Sequence, residues 1–417
     1  MAETDRTRIR VGIVGAGPAG LVLAGLLQRE GIESVVLEAR SREYVEARVR
    51  AGVLEQNTVD LLDDMGVGER MRHEGLVHEG IELRFDGQGH RIALTELTGG
   101  RSITVYGQQE VVKDLIADRL DAGGELLFEV EDVRLSGLES DNPDLRFRHE
   151  GEGRVLECDF IAGCDGFHGV CRHAVPEGVL THHEHEYPFA WLGVLAEAKP
   201  SSEELIYARH ERGFALHSMR TPEITRLYLQ CEPGEDLEQW PDARIWEELN
   251  RRFELDGGFS LGEGPIVEKG ITPMRSFVCE PMQHGRLFLA GDAVHIVPPT
   301  GAKGLNLAVA DVRVLAAALA HFYSAGDSGL LEDYSVTCLR RVWRTQYFSA
   351  WMTSMLHRAP GGDAFEERLR RAQLEYVCSS EAAARTLAEN YVGFDRVSAS
   401  VTPANSASTA HRAHASE

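Results

Sequence analysis

The stretch IRVGIVGAGPAGLVLAGLLQREGIESVVLE, residues 9–38, decides the fold. Its first apolar run, Ile9–Val14, is rich in β-branched residues and is typical of a buried parallel strand. Apolar residues at helical spacing then predict a helix over Pro18–Glu30, which Gly31 ends. The run Ser34–Leu37 predicts a second strand. The chain therefore begins with a strand, a helix and another strand, the unit from which α/β sheets are built.

Glycines between this strand and helix predict a phosphate-binding turn. Gly15, Gly17 and Gly20 form the pattern G-x-G-x-x-G. The first glycine makes the turn, the second lets a pyrophosphate approach backbone N–H groups, and the third permits close packing. Glu38 ends the second strand, where its carboxylate can accept hydrogen bonds from a ribose. The segment predicts dinucleotide binding, without separating FAD from NAD.

A second motif separates the two cofactors. Residues 285–293, GRLFLAGDA, predict a strand that ends in Gly-Asp, and a helix is expected from about Leu305. Asp292 at the end of a strand can hold a ribityl hydroxyl. The N–H groups and positive dipole end of the following helix favour the negative charge of a reduced flavin. This segment therefore favours FAD.

The rest of the chain divides by pattern. Residues 181–275 alternate β-like runs with polar turns, and residues 331–390 are almost entirely helical in pattern. The predicted fold class is α/β, with a Rossmann-like FAD-binding domain, an inserted β-sheet substrate domain and a helical C-terminal region. The predicted parts are the FAD-binding domain over 1–180, the substrate domain over 181–275, FAD-binding completion and helices over 276–396, and a disordered tail over 397–417.

Composition excludes several classes of partner. The chain has 417 residues with 43 Lys and Arg against 66 Asp and Glu, a formal net charge of −23. An acidic surface argues against nucleic acid and against anionic membranes. No apolar run approaches the roughly 20 residues of a membrane span, and the N-terminus lacks the apolar core of a signal peptide. We therefore expect a cytoplasmic protein.

The cysteines and histidines do not predict a metal site. Seven cysteines, an odd number, indicate reduced thiols and no disulfide framework. Cys158, Cys164 and Cys171 lie close together but lack the short spacing of zinc ligands. The histidines of the run THHEHE, residues 181–186, are typical of a solvated strand or loop. We expect no metal.

Longer motifs resemble a known family. GAGPAG is joined by CDGFHG (164–169), GDAVHIVPPTGAKGLN (291–306), YPFAWLG (187–193) and WMTSMLHR (351–358). These stretches resemble the class A flavoprotein aromatic hydroxylases, and within that family the members that act on 4-hydroxybenzoate. The resemblance covers nearly the whole chain, to about Gly393.

The resemblance implies roles for residues that spacing alone leaves open. The stretch 48–53 would line FAD, a carboxylate clamp would hold the substrate, and a phenol clamp would surround its hydroxyl. The implied FAD contacts are Gly15, Gly17, Ala19, Gly20, Glu38, Arg48, Arg50, Ala51, Gly52, Val53, Gln108, Asp292, Leu305 and Asn306. The implied carboxylate clamp is Ser218, Arg220 and Tyr228, with Met219 beside it as a further substrate-binding residue, and the implied phenol clamp is Tyr207, Tyr391 and the Pro299 carbonyl. A chain of hydroxyls would lead from the phenol to His78 near solvent and carry its proton out.

A nicotinamide cofactor would reduce the flavin from the surface. The resemblance places it near His168, Arg172, Arg275 and the segment 39–48. Ala39 stands where well-studied members of the family have arginine. The remaining candidates for a 2′-phosphate are Arg40, Arg42, Tyr44 and Arg48. Charge complementarity favours NADPH over NADH.

The implied reaction is hydroxylation of 4-hydroxybenzoate ortho to its phenol by O2 and NAD(P)H, giving 3,4-dihydroxybenzoate in aromatic compound degradation. Two alternatives stay open. One is the same chemistry on a related phenolic acid, 3,4-dihydroxybenzoate or 3-hydroxybenzoate. The other is a non-enzymatic binding scaffold of the same fold. The helical C-terminal region is consistent with a homodimer.

Overall fold

The computed structural model describes residues 5–49 and 52–393. The expectations for Arg50, Ala51 and the 397–417 tail lie outside the described residues. The strands are β1 (Asp5–Val14), β2 (Ser34–Leu37), β3 (Val53–Glu55), β4 (Leu76–His78), β5 (Gly80–Phe85), β6 (Gln88–Ala93), β7 (Ile103–Val105), β8 (Glu125–Leu127), β9 (Glu131–Ser136), β10 (Asp144–His149), β11 (Glu152–Gly163), β12 (Thr181–Ala196), β13 (Leu205–His210), β14 (Gly213–Met219), β15 (Thr225–Cys231), β16 (Ile266–Glu280), β17 (Gln283–His284), β18 (Leu287–Leu289) and β19 (His295–Ile296).

Helices surround these strands. The α-helices are α1 (Pro18–Arg29), α2 (Arg42–Ala47), α3 (Gln56–Asp64), α4 (Glu69–Glu74), α5 (Leu94–Thr98), α6 (Gln108–Asp121), α7 (Asp242–Phe253), α8 (Gly304–Ala325), α9 (Gly329–Glu332), α10 (Tyr334–Leu356), α11 (Ala364–Ser379) and α12 (Glu381–Tyr391). Short 3₁₀ turns cover Arg172–Ala174, Leu237–Gln239, Gly291–Ala293 and Pro299–Gly301. The predicted fold class, α/β with an FAD-binding domain, a substrate sheet and C-terminal helices, is confirmed.

The first sheet is the predicted parallel sheet. Its strand order is β17-β18-β11-β1-β2-β8, with β10 and β9 added beside β11. β1 lies between two parallel partners, β2 and β11, and its core residues Val11 and Ile13 are fully buried. A strand buried on both faces needs the continuous apolar sequence that this segment has.

The second sheet is mainly antiparallel, in the order β19-β16-β12-β15-β14-β13-β5-β6. β5 and β6 lie within the range 1–180 and β19 lies beyond residue 275, so this sheet draws on segments outside the predicted 181–275. The reason is that β5 pairs in parallel with β13, a contact between distant segments that no local pattern indicates. The exact domain boundaries stay a prediction.

Two apolar layers cover the second sheet. One face packs against α7 through Ile245 and Phe253. The opposite face carries Tyr207 and packs against residues of α10 and α12, including Met352 and Tyr391. This second face is where the sheet and the C-terminal helices enclose the predicted substrate site.

The expectation that no apolar run approaches the length of a membrane span is wrong for α8, which among the described helices is long and apolar enough to cross a membrane by length and composition alone. Its residues Val312, Leu315 and Leu319 are fully buried and pack in the core of the first sheet. The apolar sequence of α8 is therefore explained by packing in the protein core.

Candidate active site

The carboxyl ends of the parallel strands meet at one edge of the first sheet. Val14 of β1 is paired with Leu37 of β2 and with Gly163 of β11, and Gly163 is paired with Leu289 of β18. The glycine turn, Glu38, the CDGFHG segment and the Gly291 turn therefore follow neighbouring strands at the same edge. Cofactors of open α/β sheets bind at this edge.

The three glycines of the first turn have the distinct roles that the motif predicts. Gly15 has a φ of +106°, and a Cβ there would lie 2.4 Å from the carbonyl oxygen of Cys164. A Cβ on Gly20 would lie 1.9 Å from the Gly15 carbonyl oxygen. A Cβ on Gly17 would meet no protein atom within 4 Å, so there is open space before the N-terminus of α1. That space suits a pyrophosphate, because the first N–H groups of a helix lack partners within the helix.

Glu38 is held beside this turn by backbone donors. Its Oε2 accepts a hydrogen bond from the Ala16 N–H at 2.8 Å, and its Oε1 accepts one from the Arg40 N–H at 2.8 Å. The ionised carboxylate is therefore fixed at the end of β2, where an adenosine ribose would lie.

A buried ion pair holds the Gly291 turn in place. His295 Nε2 lies 2.5 Å from Asp311 Oδ2, and the same oxygen accepts a hydrogen bond from the Gly291 N–H at 3.1 Å. Burial lowers the pKa of His295, but the Asp311 carboxylate outweighs that effect, and the pKa is raised. Asp292 itself is exposed, and Ala19 lies 3.5 Å from the position of a Gly291 Cβ. The two FAD motifs are thus in contact.

Both the oxygen and the nitrogen of the Asn306 side-chain amide form hydrogen bonds within the protein. Its Oδ1 accepts hydrogen bonds from the Glu55 N–H at 2.9 Å and from the Thr58 hydroxyl at 2.8 Å. Its Nδ2 donates to the carbonyl oxygens of Val53 and Ala302, at 2.9 and 3.1 Å. A contact of Asn306 with FAD would therefore use its backbone. Among the described residues, no side chain caps the N-terminus of α8, which leaves the N–H groups of Leu305 and Asn306 available to a cofactor.

The remaining predicted FAD residues border the same edge. Gly52 lies against Tyr106, where a Cβ would be 2.4 Å from the carbonyl oxygen. Gln108 is the first residue of α6 and is half-buried, and Arg48 lies over the Tyr44 ring at 5.9 Å. The open space at Gly17, the fixed carboxylate and the uncapped helix together fit a flavin dinucleotide.

The predicted carboxylate clamp lies on the face of the second sheet that looks toward the C-terminal helices. Leu216 of β14 is opposite both Tyr207 of β13 and Tyr228 of β15, so these side chains share a face. Alternation along β14 places Ser218 on that face and Met219 on the other. The Met219 side chain thus points away from the proposed clamp, and a substrate contact at this position would use its backbone.

Arg220 carries a buried cation with unused donors. Its Nε and Nη1 atoms are buried and have no hydrogen-bond partner among the described residues. Burial lowers the pKa of Arg220, and the interaction with the Tyr228 hydroxyl opposes that shift. A guanidinium remains charged in proteins, so this position requires an anion to complete it.

The predicted phenol clamp is assembled between the sheet and α12. The hydroxyls of Tyr207 and Tyr391 are hydrogen-bonded to each other, and both side chains are buried. Burial raises the pKa of each tyrosine, so both stay protonated at neutral pH. Lys303 fastens the end of α12, since its Nζ donates to Glu55 Oε1 at 2.6 Å and to the Tyr391 carbonyl oxygen at 2.8 Å. The Pro299 carbonyl oxygen accepts a hydrogen bond from the Ala302 N–H at 2.9 Å, which leaves one lone pair for a ligand.

His78 does not lie near solvent, and that expectation is wrong. Its side chain is 1% exposed, and neither ring nitrogen has a hydrogen-bond partner among the described residues. Burial lowers its pKa to about 4, so the ring is neutral at physiological pH. His78 is the last residue of β4, and the chain enters β5 of the second sheet two residues later. A role for His78 in proton transfer stays a prediction.

The predicted nicotinamide residues fall into two groups. Arg172 is not at the surface as expected: it is buried, and it donates to the carbonyl oxygens of Ala293 and Phe167, each at 2.6 Å. It therefore holds the Gly291 turn. His168 is exposed beside it, and Arg275 lies over the Phe167 ring and 3.7 Å from Glu184.

The second group surrounds α2. Arg40 lies 5.4 Å and Arg48 5.9 Å from the centre of the Tyr44 ring, which is largely exposed. Arg42 Nε is paired with Glu46 Oε1 at 2.6 Å, which neutralises it. Two arginines beside one exposed ring form a surface suited to a phosphate and a purine.

His357 and Trp191 are the residues beside the clamps that sequence reasoning missed. Trp191 Nε1 donates to His357 Nε2 at 2.6 Å in the buried layer behind Tyr228. Both residues belong to sequence motifs on which the family resemblance rests, but the resemblance implies no role for either of them.

In the described part of the chain, no group of three potential ligands is placed to hold a metal. Cys158, Cys164 and Cys171 are buried, and burial raises the pKa of each thiol.

Comparison with known proteins agrees with this geometry. The family model described as FAD binding domain matches residues 8–349. The chain is 49% identical over 386 residues to p-hydroxybenzoate hydroxylase of Acinetobacter baylyi (strain ATCC 33305 / BD413 / ADP1), which covers 93% of this chain and 95% of that protein.

This chain belongs to the FAD-dependent aromatic hydroxylases. FAD is its cofactor, and a nicotinamide electron donor is consistent with the family. The hydroxylase is also 27% identical over 326 residues to 3-amino-4-hydroxybenzoate 2-monooxygenase of Streptomyces cremeus, covering 75% of this chain and 78% of that protein. The crystal structure of p-nitrophenol 4-monooxygenase from Pseudomonas putida DLL-E4 has the same fold, with a TM-score of 0.79, 18% identity, and coverage of 94% of this chain and 100% of that chain. The alternative of a non-enzymatic scaffold is set aside, since the family is one of enzymes.

Proposed function

We propose that the hydroxylase converts 4-hydroxybenzoate to 3,4-dihydroxybenzoate with O2 and NAD(P)H, in the degradation of aromatic compounds. The observation that carries the proposal is the Arg220 guanidinium, whose buried Nε and Nη1 atoms have no hydrogen-bond partner among the described residues, one residue beyond the strand that pairs with the strand of Tyr207. A substrate with a carboxylate at one end and a phenol at the other complements both. The name of the Acinetobacter baylyi relative supports the same substrate.

Substrate binding would satisfy the buried cation. A carboxylate would accept hydrogen bonds from Arg220 Nε and Nη1, with the hydroxyls of Ser218 and Tyr228 as further donors. The Ser218 hydroxyl donates to the neighbouring Met219 carbonyl oxygen at 3.3 Å, a long bond that a carboxylate would readily replace. An ion pair with complete hydrogen bonding is the arrangement that makes a buried charge tolerable.

The chemistry divides between the cofactor and the chain. When bound, FAD supplies electron transfer from the nicotinamide donor and activation of O2. The Tyr207 hydroxyl would accept the proton of the substrate phenol while it donates its own to Tyr391, and Tyr391 would pass its hydroxyl proton on toward solvent, so that the phenolate forms and both tyrosines stay neutral. The buried aromatic walls exclude water, which protects the oxidising species from wasteful decay to peroxide.

We propose the same site for a related phenolic acid as the second candidate. The 3-amino-4-hydroxybenzoate 2-monooxygenase of Streptomyces cremeus shows by its name that one relative acts on a hydroxybenzoate with a further ring substituent. The carboxylate and phenol clamps tolerate a second ring substituent if the space beside them allows it. Product analysis decides between the candidates.

We propose NADPH as the preferred electron donor. Arg40 and Arg48 beside Tyr44 offer two cations to a 2′-phosphate, whereas Arg42 is already paired with Glu46. The test compares kcat/KM for NADPH and NADH in the wild type and in Arg40→Gln. We expect NADPH to be preferred and the preference to fall in the variant. Preference for NADH in the wild type would contradict the proposal.

We propose a cytoplasmic homodimer that uses one face of α11. Phe365, Leu369 and Tyr376 are 70%, 54% and 60% exposed, and their spacing places them on one side of the helix. Sedimentation should give a dimer for the wild type and a monomer for Leu369→Glu. Leu330→Glu, at an exposed leucine of α9, is the matched control and should stay dimeric.

The principal experiment follows oxidation of NADPH by the holoenzyme with and without 4-hydroxybenzoate, and measures aromatic product and peroxide. Strong stimulation with one 3,4-dihydroxybenzoate for each NADPH supports the proposal. Stimulation that yields peroxide instead of product would favour a related phenolic acid. No stimulation by any phenolic acid would refute the assignment of the clamps.

A further inference from the structure

We propose that His357 is a positioning residue for the substrate site, which holds the Trp191 indole against Tyr228 and thereby fixes the carboxylate end of the pocket. The proposal rests on the proposed function, since it concerns the pocket for a phenolic acid.

The hydrogen bonds of His357 fix a single form of its ring. Trp191 Nε1, which can only donate, lies 2.6 Å from Nε2. The Thr353 carbonyl oxygen, which can only accept, lies 2.9 Å from Nδ1. The proton therefore resides on Nδ1, and Nε2 offers its lone pair to the indole. Burial lowers the pKa of His357 to about 3, so this neutral form persists at every pH at which the enzyme would work.

Ring stacking also holds the orientation of the His357 imidazole. The His357 ring stacks on Phe189 with centres 4.6 Å apart and on Phe214 with centres 4.4 Å apart. The Trp191 ring lies 5.8 Å away and nearly parallel, with an angle of 13° between the planes. The side chain is 1% exposed, so no water competes for either nitrogen.

From His357, ring contacts lead to both clamps. Trp191 contacts Tyr228 at 4.8 Å, and the Tyr228 hydroxyl interacts with the Arg220 guanidinium. Phe214 contacts Tyr207 at 6.2 Å on the other side. A shift of the indole would therefore move the Tyr228 ring, which packs directly on it, before it moved Tyr207.

Thr353 connects the same histidine to the turn at Pro299. Its carbonyl oxygen accepts the His357 Nδ1 hydrogen bond, and its hydroxyl is 2.9 Å from the Thr300 hydroxyl. The end of α10 thereby joins the sheet residues of the pocket to the Pro299–Gly301 turn. His357 is one polar link between them, beside the hydrogen bonds of Arg358 with Gln230 of β15.

An apolar residue of similar size would fill this space without the cost of burying two ring nitrogens. The choice of histidine is explained if the Trp191 N–H needs an acceptor in a dry layer. Replacement of His357 by phenylalanine keeps the ring and removes the acceptor. Replacement by glutamine removes the ring but offers a carbonyl oxygen to the indole.

The experiment uses the FAD-loaded full chain and compares His357→Phe, His357→Gln and Trp191→Phe. KM for 4-hydroxybenzoate should rise about tenfold in His357→Phe, the effect of one unsatisfied buried donor. KM for NADPH and the FAD content should stay within about twofold of the wild type, and more NADPH should be lost as peroxide. His357→Gln should recover most of the affinity, because the acceptor for the indole returns. Trp191→Phe removes the donor, so adding it to His357→Phe should produce little further loss.

An unchanged KM for 4-hydroxybenzoate in His357→Phe would overturn the proposal. Equal losses in substrate KM, NADPH KM and FAD content, without recovery in His357→Gln, would also overturn it, since that is the pattern of general damage. If His357→Phe does not fold with FAD, His357→Gln and Trp191→Phe carry the same substrate-specific comparison. Failure of the proposed function is distinguishable, because the wild type itself would then show no stimulation by phenolic acids.

Discussion

Replacing Arg220 by methionine should have opposite effects on the free protein and on its complex. Methionine has a similar length and no charge, so it fills the site without leaving Nε and Nη1 unpaired. Relief of an unsatisfied buried donor is worth about 1–3 kcal/mol in the free energy of unfolding. We therefore expect the FAD-loaded variant without substrate to be as stable as the wild type or more stable.

The same substitution should weaken the complex of the enzyme with its substrate. A substrate carboxylate buried without its cation costs about 3–5 kcal/mol, so affinity for 4-hydroxybenzoate should fall by at least about 150-fold. The change in flavin absorbance on titration gives the Kd, and thermal unfolding with and without substrate gives the stabilisation by the ligand. The wild type should be stabilised by substrate and Arg220→Met should not.

Arg244→Met is the matched control, because Arg244 lies in the same part of the chain but is exposed over the Trp240 ring. It should bind substrate like the wild type. If Arg220→Met bound 4-hydroxybenzoate with unchanged affinity, the unpaired guanidinium would have another purpose and the carboxylate clamp would be refuted. A large loss of stability in the substrate-free variant would refute the view that the cation is unsatisfied.

Other predictions concern the remaining parts of the site. Tyr207→Phe should slow hydroxylation about 100-fold and raise peroxide release with little change in substrate Kd, whereas coupled turnover at the normal rate would rule out the proton path. Gly17→Ala should weaken FAD binding about tenfold, because its methyl group enters the space that the cofactor would fill. The melting temperature of the apoprotein should not change. Gly153→Ala is the control, since Gly153 also faces open space but lies near the start of β11. Acid should destabilise the fold below pH 6.5, because the three buried histidines with a lowered pKa, His78, His217 and His357, gain their proton mainly on unfolding, at about 1.4 kcal/mol per pH unit for each. Denaturant unfolding at pH 7, 6 and 5 measures this, and a flat profile would contradict the three lowered values, about 4 for His78, about 4 for His217 and about 3 for His357.

Local sequence patterns were sufficient to predict the parallel sheet and the glycine turn. β1, α1 and β2 follow from apolar periodicity, and the open space at Gly17 follows from the spacing of the motif. These features depend on residues that are neighbours in sequence. The pairing of β5 with β13 does not, and so the extent of the second sheet could not be predicted.

The positions of individual side chains in the site were predictable only where the family resemblance implied them. The family resemblance indicated that Tyr207 and Tyr391 meet, and the structure brings them together. The resemblance implies a surface position for Arg172, beside the nicotinamide cofactor, but carbonyl oxygens and aromatic rings surround its guanidinium in the interior. His357 was missed because its partner Trp191 is 166 positions away, and no local pattern specifies which buried donor an imidazole accepts.

The proton path joins two distant parts of the polypeptide, since Tyr207 and Tyr391 are 184 positions apart. During synthesis the glycine turn leaves the ribosome early, and the partner of Tyr207 leaves near the end. A nascent chain therefore contains β1, β2 and β11 of the parallel sheet before it contains both tyrosines of the proposed phenol clamp. The proposed clamp is thus complete only when nearly the whole described chain has been synthesised.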